Sequence, residues 1–221
     1  MKYSILIPYY NRAKQFAMTL ASFHIKYSRR KDYEIIIIED AKNEDRIKFI
    51  LKTYEHLPIL FFRGDDSPNP SSKYNYAAKI ASGEFLVITS PECFHKSNIL
   101  KALDEEFSLN PSAYIVCACE HVNEDFKRIK WYQHSVENPR KFHFCSAISR
   151  SQYLDIHGFD ERFSDGIAYD DAAFLKNIKR NNIKIIERDD AIVLHQAHDK
   201  YGIDRKDLVI KNKLLYQSLY E

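Results

Sequence analysis

The fold is decided at residues 81–92, ASGEFLVITSPE. A polar break at Ser82-Gly83-Glu84 precedes a short apolar run, residues 85–89, and a carboxylate, Glu92, stands three residues beyond the end of that run. In open α/β folds, ligands bind outside the carboxyl ends of the strands, so Glu92 is expected at a binding edge. Two earlier runs end in the same way. Residues 3–8 stop at Tyr10-Asn11-Arg12, and residues 34–38 stop at Glu39-Asp40. If the three strands run parallel, they deliver polar groups to one rim. This is the outline of a nucleotide site that lacks a phosphate-cradling glycine loop.

Working outward, strands and helices alternate. Strands are expected at 3–8, 33–39, 58–63, 85–89 and 113–119, and helices at 13–26, 44–54, 70–82 and 96–108. Such alternation predicts right-handed β-α-β units and a mostly parallel central sheet flanked by helices on both faces. The unbroken Ile35-Ile36-Ile37-Ile38 run agrees, because a strand buried on both sides needs no polar alternation. Pro70 suits a helix start, with Asn69 or Ser67 as its cap.

After Cys119 the rhythm breaks. Residues 120–141, with Trp131-Tyr132 in their middle, read as an irregular loop or a β-hairpin. A strand at 142–149 follows, then a short helix, a turn at 157–160, a helix over 170–181, strands near 183–187 and 191–195, and an amphipathic helix over 204–219. No repeat or low-complexity linker interrupts the chain, so one domain is expected over 1–221.

A length of 221 residues suffices for one substantial core. The net charge is +2 and the basic residues are scattered, so the clustered face that binds nucleic acid is missing and no such partner is expected. No apolar run reaches the roughly 18 residues of a transmembrane helix, and Met1-Lys2 leads straight into a strand rather than a signal peptide. A cytoplasmic protein is expected, with peripheral membrane contact left open. Cys93, Cys117, Cys119 and Cys145 then read as reduced thiols. The Cys117-x-Cys119 pair suggests a metal, but strand alternation turns both side chains to one packed face and no second pair completes a zinc set.

The strings SILIPYYNR, EIIIIEDAKNED, KYNYAAKIASGEFLVITSPE, SRSQYLDIHGFDERF, AYDDAAFL and VLHQAH stand in the order and at the spacings of a known family. From Ser4 to about His198 the chain resembles family-2 glycosyltransferases, inverting enzymes with the GT-A nucleotide-diphospho-sugar transferase fold. The resemblance divides the chain into a donor half over 1–119, an acceptor and catalytic half over 120–203, and a terminal helix over 204–221. It implies transfer of a hexosyl-type sugar from a nucleotide-sugar donor, most commonly a UDP-sugar, to a hydroxyl of a glycan or glycolipid acceptor, as in polysaccharide biosynthesis.

The resemblance also assigns roles. Pro8, Tyr9, Tyr10, Asn11, Arg12 and Asp40 would hold the base and ribose of the donor. The alternative for Asp40 is to cap the next helix, a task that Asn43 can perform in its place. Lys73 and Asn75 would lie under the donor, although a helical lysine is by default a solvated charge. Arg12 has the alternative of pairing with an acid at its helix start. The family's acid-any-acid metal triplet reads Ser90-Pro91-Glu92 here, so Glu92, with His195 or His198, would hold a divalent cation, Mn2+ or Mg2+. With serine replacing the first acid, action without a metal stays open.

Asp170 and Asp171 open a helix, where neighbours point about 100° apart, so one faces a cleft and the other caps. Asp171 matches the family's general base. Trp131, Tyr132 and the Gly158-Phe159-Asp160 turn are candidates for the acceptor wall, and core packing is the alternative. Asp40, Glu92, Asp171 and His195 are expected to border one cleft. A nucleotidyltransferase or a dinucleotide-dependent oxidoreductase would need a glycine-rich loop after the first strand, and none is present. A non-catalytic sugar-nucleotide or glycan binder is the remaining alternative.

Overall fold

The computed structural model describes residues 1–44, 47–198 and 206–220. Strands β1 (Tyr3–Tyr9), β2 (Tyr33–Glu39), β3 (Ile59–Arg63) and β4 (Phe85–Thr89) lie parallel in the order β3-β2-β1-β4. Ile35 pairs with Ile5 on one side and Ile59 on the other. The isoleucine run is buried on both faces, as its lack of alternation requires. Ile35 and Ile37 pack with Phe16, Leu20 and Phe23 of α1 (Ala13–Tyr27), while Ile36 and Ile38 pack with Tyr74, Ala77 and Ala78 of α3 (Ser71–Ile80).

The glycine of the opening stretch is required by close approach. A Cβ on Gly83 would stand 2.5 Å from the Ser4 backbone nitrogen. Around it, the Gly83 N–H donates to Ser4 Oγ at 2.8 Å and the Ser82 N–H to Glu34 Oε1 at 2.7 Å, which ties the polar break to the first turns of β1 and β2. Pro70 itself is the cap of α3, without a side-chain hydrogen bond, and Asn69 braces the turn before it. Asn69 Oδ1 accepts from the Ser71 N–H at 2.9 Å, and Ser67 turns instead to Ser72.

Beyond β4 the sheet becomes mixed. Strand β8 (Cys145–Ser149) lies antiparallel between β4 and β6 (Tyr114–Val122), and β9 (Ile185–His195) runs parallel to β6. The stretch expected to be a loop or hairpin forms the hairpin, with β7 (Arg128–Gln133) antiparallel to β6. The two strands expected at 183–187 and 191–195 are one. Between Cys117 and Ala118 the β9 register jumps from Arg188 to Ile192, so the polar Asp189-Asp190 bulges out of the ladder.

A three-residue strand, β5 (Cys93–His95), was unread in the sequence and pairs antiparallel with β9. It shortens the following helix, α4, to Ile99–Leu109, with Asn98 accepting the Lys101 N–H as its cap. On the sheet's other face α5 (Arg150–Asp155) and α6 (Asp170–Arg180) join α3, while α2 (Ile47–Thr53) lies with α1. The last helix, α7, is described over Lys206–Tyr220, and its expected start at 204 lies outside the described residues. The four cysteines are free and buried, Cys117 and Cys119 in one core cluster, and none belongs to a set of metal-ligating groups among the described residues. No helix there is long and apolar enough to cross a membrane.

Candidate functional site

The carboxyl ends of β1, β2 and β4 open on a cleft of about 360 Å³, within the usual range for small-molecule sites. Pro8, Tyr9, Tyr10, Arg12, Asp40, Lys73, Ser90, Pro91 and Glu92 line it, as does Tyr74, which the sequence did not single out. Lys42, Asp66, the 67–70 turn and Ile167 complete the wall.

Asp40 is buried. Its Oδ2 lies 3.0 Å from Lys73 Nζ, and its Oδ1 accepts the Lys42 N–H at 2.8 Å, closing a local turn rather than capping a helix. Lys73 is only 4% exposed, so it is not the solvated charge that helical lysines usually are. Its ammonium also meets Asp65 Oδ1 at 3.0 Å and the Ser67 carbonyl at 2.9 Å. Three oxygen partners satisfy the donors of the buried ammonium. Burial alone would raise the Asp65 carboxyl, but hydrogen bonds from Ser67, Ser72 and Lys73 outweigh it and hold the group below the usual range.

Two residues expected at the donor are placed as braces instead. Asn11, at φ 44°, accepts the Glu44 N–H at 2.9 Å and passes its own N–H to Asn43 Oδ1 at 2.9 Å, which fixes the loop that presents Tyr10 and Arg12. Asn43 is therefore engaged in that brace. Asn75 is buried behind the cleft. Its Oδ1 accepts from Tyr153 Oη at 2.7 Å and the Phe159 N–H at 2.9 Å, and its Nδ2 donates to the Phe159 carbonyl and Glu161 Oε1, each at 2.8 Å. With its amide fully used inside the protein, Asn75 has nothing left to offer a ligand. Asn75→Ala, which orphans both polar groups of Phe159, should lower the unfolding free energy by roughly 3 kcal/mol. An unchanged urea midpoint would contradict this.

The same brace removes three residues from the expected acceptor wall. Gly158 sits at φ 61°, where an added Cβ would stand 2.3 Å from Asn75 Oδ1. Phe159 is buried in the core, stacked on Phe174 at 4.3 Å and on Tyr74 at 5.1 Å. Asp160 accepts the Arg162 N–H and pairs with its guanidinium at 2.6 Å, capping the 3-10 turn Glu161–Phe163. Trp131 and Tyr132 are half-buried on β7. Arg128 lies over the Trp131 ring at 4.6 Å, and Tyr132 stacks on His121 and stands 5.0 Å from the His195 ring.

The unread strand β5 is what joins Glu92 to His195. Its register places Cys93 opposite His195, and Gln196 clamps the Glu92 carbonyl with both its backbone N–H and its Nε2, each at 3.1 Å. Glu92 Oε1 consequently lies 3.6 Å from His195 Nε2 and 3.8 Å from His198 Nε2. Burial would raise Glu92, but His195, Arg12 and His198 outweigh it and hold the carboxyl low. In turn Glu92 raises His195 against its burial. The buried Nδ1 of His195 has no hydrogen-bond partner among the described residues.

The three ligand atoms lie within 4.8 Å of one another. One carboxylate oxygen and two imidazole nitrogens fit a divalent cation of the Mn2+ type better than Mg2+, which prefers oxygen. Ser90 lines the cleft beside Pro91 and Glu92.

Neither aspartate of the pair caps α6. The cap is Tyr169, in the left-handed region at φ 68° directly after Ala168 at φ 64°, with no side-chain hydrogen bond. Two consecutive non-glycine residues in this region store strain immediately before the pair. Asp170 is buried at 6% exposure, and burial, with the Asp171 charge adding, pushes its carboxyl up to about 6. Asp171 is partly exposed, and its Oδ1 lies 2.7 Å from Nε2 of His143.

His143 was missed in the sequence, where it reads as one more member of FHFCSAIS. The signal was there: an imidazole in an otherwise apolar run requires a polar partner. Burial lowers His143, but the charge and hydrogen bond of Asp171 outweigh it and raise the imidazole. Of the four residues expected around one cleft, Asp40 and Glu92 line it and His195 meets it through Glu92. Asp171 is not among the residues that line the cleft, and its charge acts with those of Glu92 and Asp170 on the buried Tyr74 hydroxyl.

A carboxyl raised above its unfolded value contributes stability that is present below about 4 and lost as pH rises through its folded value. Asp170 should thus weaken the fold, between about pH 4 and pH 6, by an amount on the order of 3 kcal/mol. His143 adds to the same trend at higher pH, as its imidazole deprotonates. Asp170→Asn should flatten most of this slope and stabilise the protein at pH 8. Parallel stability–pH curves for the two proteins would be the opposite result.

Residues 4–164 match the model of the family described as Glycosyl transferase family 2. The chain is 30% identical over 103 residues to the poly(ribitol-phosphate) beta-glucosyltransferase of Bacillus spizizenii, covering 45% of this chain and 16% of that protein. It is 24% identical over 102 residues to the poly(ribitol-phosphate) beta-N-acetylglucosaminyltransferase TarS of Staphylococcus aureus, covering 46% and 18%. The chain therefore matches less than a fifth of either relative. The S. aureus TarS 1-349 structure in complex with UDP-GlcNAc superposes with a TM-score of 0.74 at 17% identity, over 90% of this chain and 60% of that one. The mannosyltransferase PcManGT from Pyrobaculum calidifontis, in complex with GDP-Man and Mn2+, does so with a TM-score of 0.69 at 16% identity, over 91% and 58%.

Proposed function

The chain belongs to glycosyl transferase family 2 and has the GT-A fold of its structural neighbours, and from that premise we propose that it moves a sugar from a UDP-sugar to an acceptor hydroxyl with inversion. The observation that carries this reading is Glu92, which lines the cleft and stands within 4 Å of two imidazoles at the same rim. UDP is the nucleotide of the TarS complex, and poly(ribitol-phosphate) names both sequence relatives. That polymer is accordingly the first acceptor to try, within the wider class of glycans and glycolipids.

The uridine and ribose contact Tyr9, Tyr10 and Asp40, whose carboxylate is fixed by Lys73. Asp171 takes the proton of the acceptor hydroxyl as that oxygen forms its bond to the anomeric carbon. The bond from this carbon to the diphosphate oxygen breaks on the opposite face, and its electron pair leaves with UDP. Arg12 places positive charge in the cleft wall beside the leaving group. Glu92, His195 and His198 would hold a divalent cation, which when bound supplies charge neutralisation for the diphosphate. Tyr132 offers the acceptor an aromatic face next to His195, with Trp131 beside it on β7.

Ligand binding raises thermal stability by mass action. UDP together with Mn2+ should raise Tm by more than the two effects added separately, because each completes the other's site. The absence of any shift with nucleoside diphosphates, with or without Mn2+, would refute the reading. A second reading, a non-catalytic sugar-nucleotide binder, draws on Ser90 standing where the family pattern has an acid. It shares the binding result and parts from the enzyme at Asp171.

A further inference from the structure

Asn75 and the Gly158-Phe159-Asp160 turn, expected to touch donor and acceptor, are turned inward and lead to His143. Asn75 grips both backbone polar groups of Phe159. The Phe159 ring stands 4.7 Å from the His143 ring, edge to face, and Tyr74 and Phe174 stand edge-on at 5.9 Å and 6.2 Å. Three rings from three separate segments thereby fix the imidazole plane, and the one polar atom it presents to α6 meets Asp171 Oδ1 at 2.7 Å.

We propose that His143 is a positioning residue for the carboxylate that activates the acceptor: its Nε2–H holds Oδ1 of Asp171 and leaves Oδ2 as the atom that takes the acceptor's proton. This rests on the reading of Asp171 as the base. A free aspartate rotates about two side-chain torsions, and a misplacement of about 1 Å costs on the order of 10²-fold in rate. Packing alone cannot hold a carboxylate whose side chain is 34% exposed, whereas a hydrogen bond from a caged, 9% exposed imidazole can.

The imidazole also answers a charge problem. Asp170 and Asp171 are adjacent, and Asp170 is buried. The titratable groups that act on His143 or pack against it are Asp171 and Asp170 of α6, the Tyr74 ring of α3 and the Cys93 thiol of β5. None is a cation, so the imidazole is the only basic group in that set and takes a proton most readily while both aspartates are charged.

The test compares His143→Phe, His143→Gln and Asp171→Asn, reading UDP release from UDP-GlcNAc with poly(ribitol-phosphate) and Mn2+, and the imidazole titration in 15N-histidine spectra of the full chain. His143→Phe should lower kcat by about 10–100-fold, with the donor KM within about threefold. His143→Gln should recover most of the loss, because its amide donates from nearly the same place. In the spectra the His143 midpoint should lie above that of a free histidine and fall in Asp171→Asn. Full kcat in both His143 variants, with Asp171→Asn inactive, overturns the positioning role and spares the base. Full turnover in Asp171→Asn overturns the base itself, and with it this inference. If no turnover is seen with this donor and acceptor, the spectra decide: a His143 midpoint indifferent to Asp171→Asn overturns the proposal.

Discussion

Asp171→Asn is expected to slow sugar transfer by about 10²–10⁴-fold, the contribution typical of a general base, while UDP affinity stays within a few-fold. The substitution keeps the shape of the side chain and an oxygen able to accept from His143 Nε2, 2.7 Å away in the native protein, so the local structure survives and basicity alone is lost. The cleft loses nothing, because Asp171 lies outside its lining. The adjacent Asp170→Asn is the control. Asp170 is buried, with the Asn69 side chain hydrogen-bonded to it, and reaches no acceptor. It should change stability and its pH dependence, with turnover within a few-fold. If Asp170→Asn abolishes turnover and Asp171→Asn does not, the two roles are exchanged. If both variants turn over normally, the inverting-base mechanism is wrong; if the native protein binds UDP and shows no turnover, the chain is a binder.

Glu92→Gln should abolish the part of UDP affinity that depends on Mn2+, a loss of about 10²-fold or more, since a direct ligand matters at least as much as the outer-shell contacts whose loss costs about 10–100-fold. Affinity without metal should barely move. The fold should persist, because the pairing of β5 with β9 and the Gln196 clamp use the Glu92 backbone rather than its carboxylate. Ser90→Asp tests the same site from the other side. Ser90 lines the cleft near Glu92, and a second carboxylate there should tighten Mn2+ binding. Measured by calorimetry, equal Mn2+-dependent affinities in native and Glu92→Gln protein would remove Glu92 from the metal's ligands.

The parallel half of the sheet was legible because its causes are local. A strand with both faces covered is apolar throughout, and Ile35-Ile36-Ile37-Ile38 reports this directly. Polar residues at the strand ends likewise announced the rim where Asp40 and Glu92 stand. What the sequence hid depends on distant partners. β5 is three residues long and earns its pairing only from β9, about a hundred residues later, yet it seats Glu92 beside His195. Lys73 looked like a surface charge because its partners, Asp40 and Asp65, arrive from other loops. Asn75 and Phe159 show the same limit from the opposite side. A family motif marks residues that matter, and only the hydrogen bonds reveal that these matter by bracing the turn behind Tyr74.

The central claim is that one rim, built from Glu92, His195 and His198, holds a cation against the diphosphate of a uridine nucleotide seated by Asp40. The most direct test is a crystal structure of the protein grown with UDP and Mn2+, with anomalous differences recorded at the manganese edge. The account predicts a single strong peak within coordination distance of Glu92 and His195, with the uridine beside Asp40 and Tyr10 and the β-phosphate facing the metal. A peak at the His143, Asp170 and Asp171 cluster instead, or a nucleotide bound away from Asp40 with no manganese at Glu92, would contradict it.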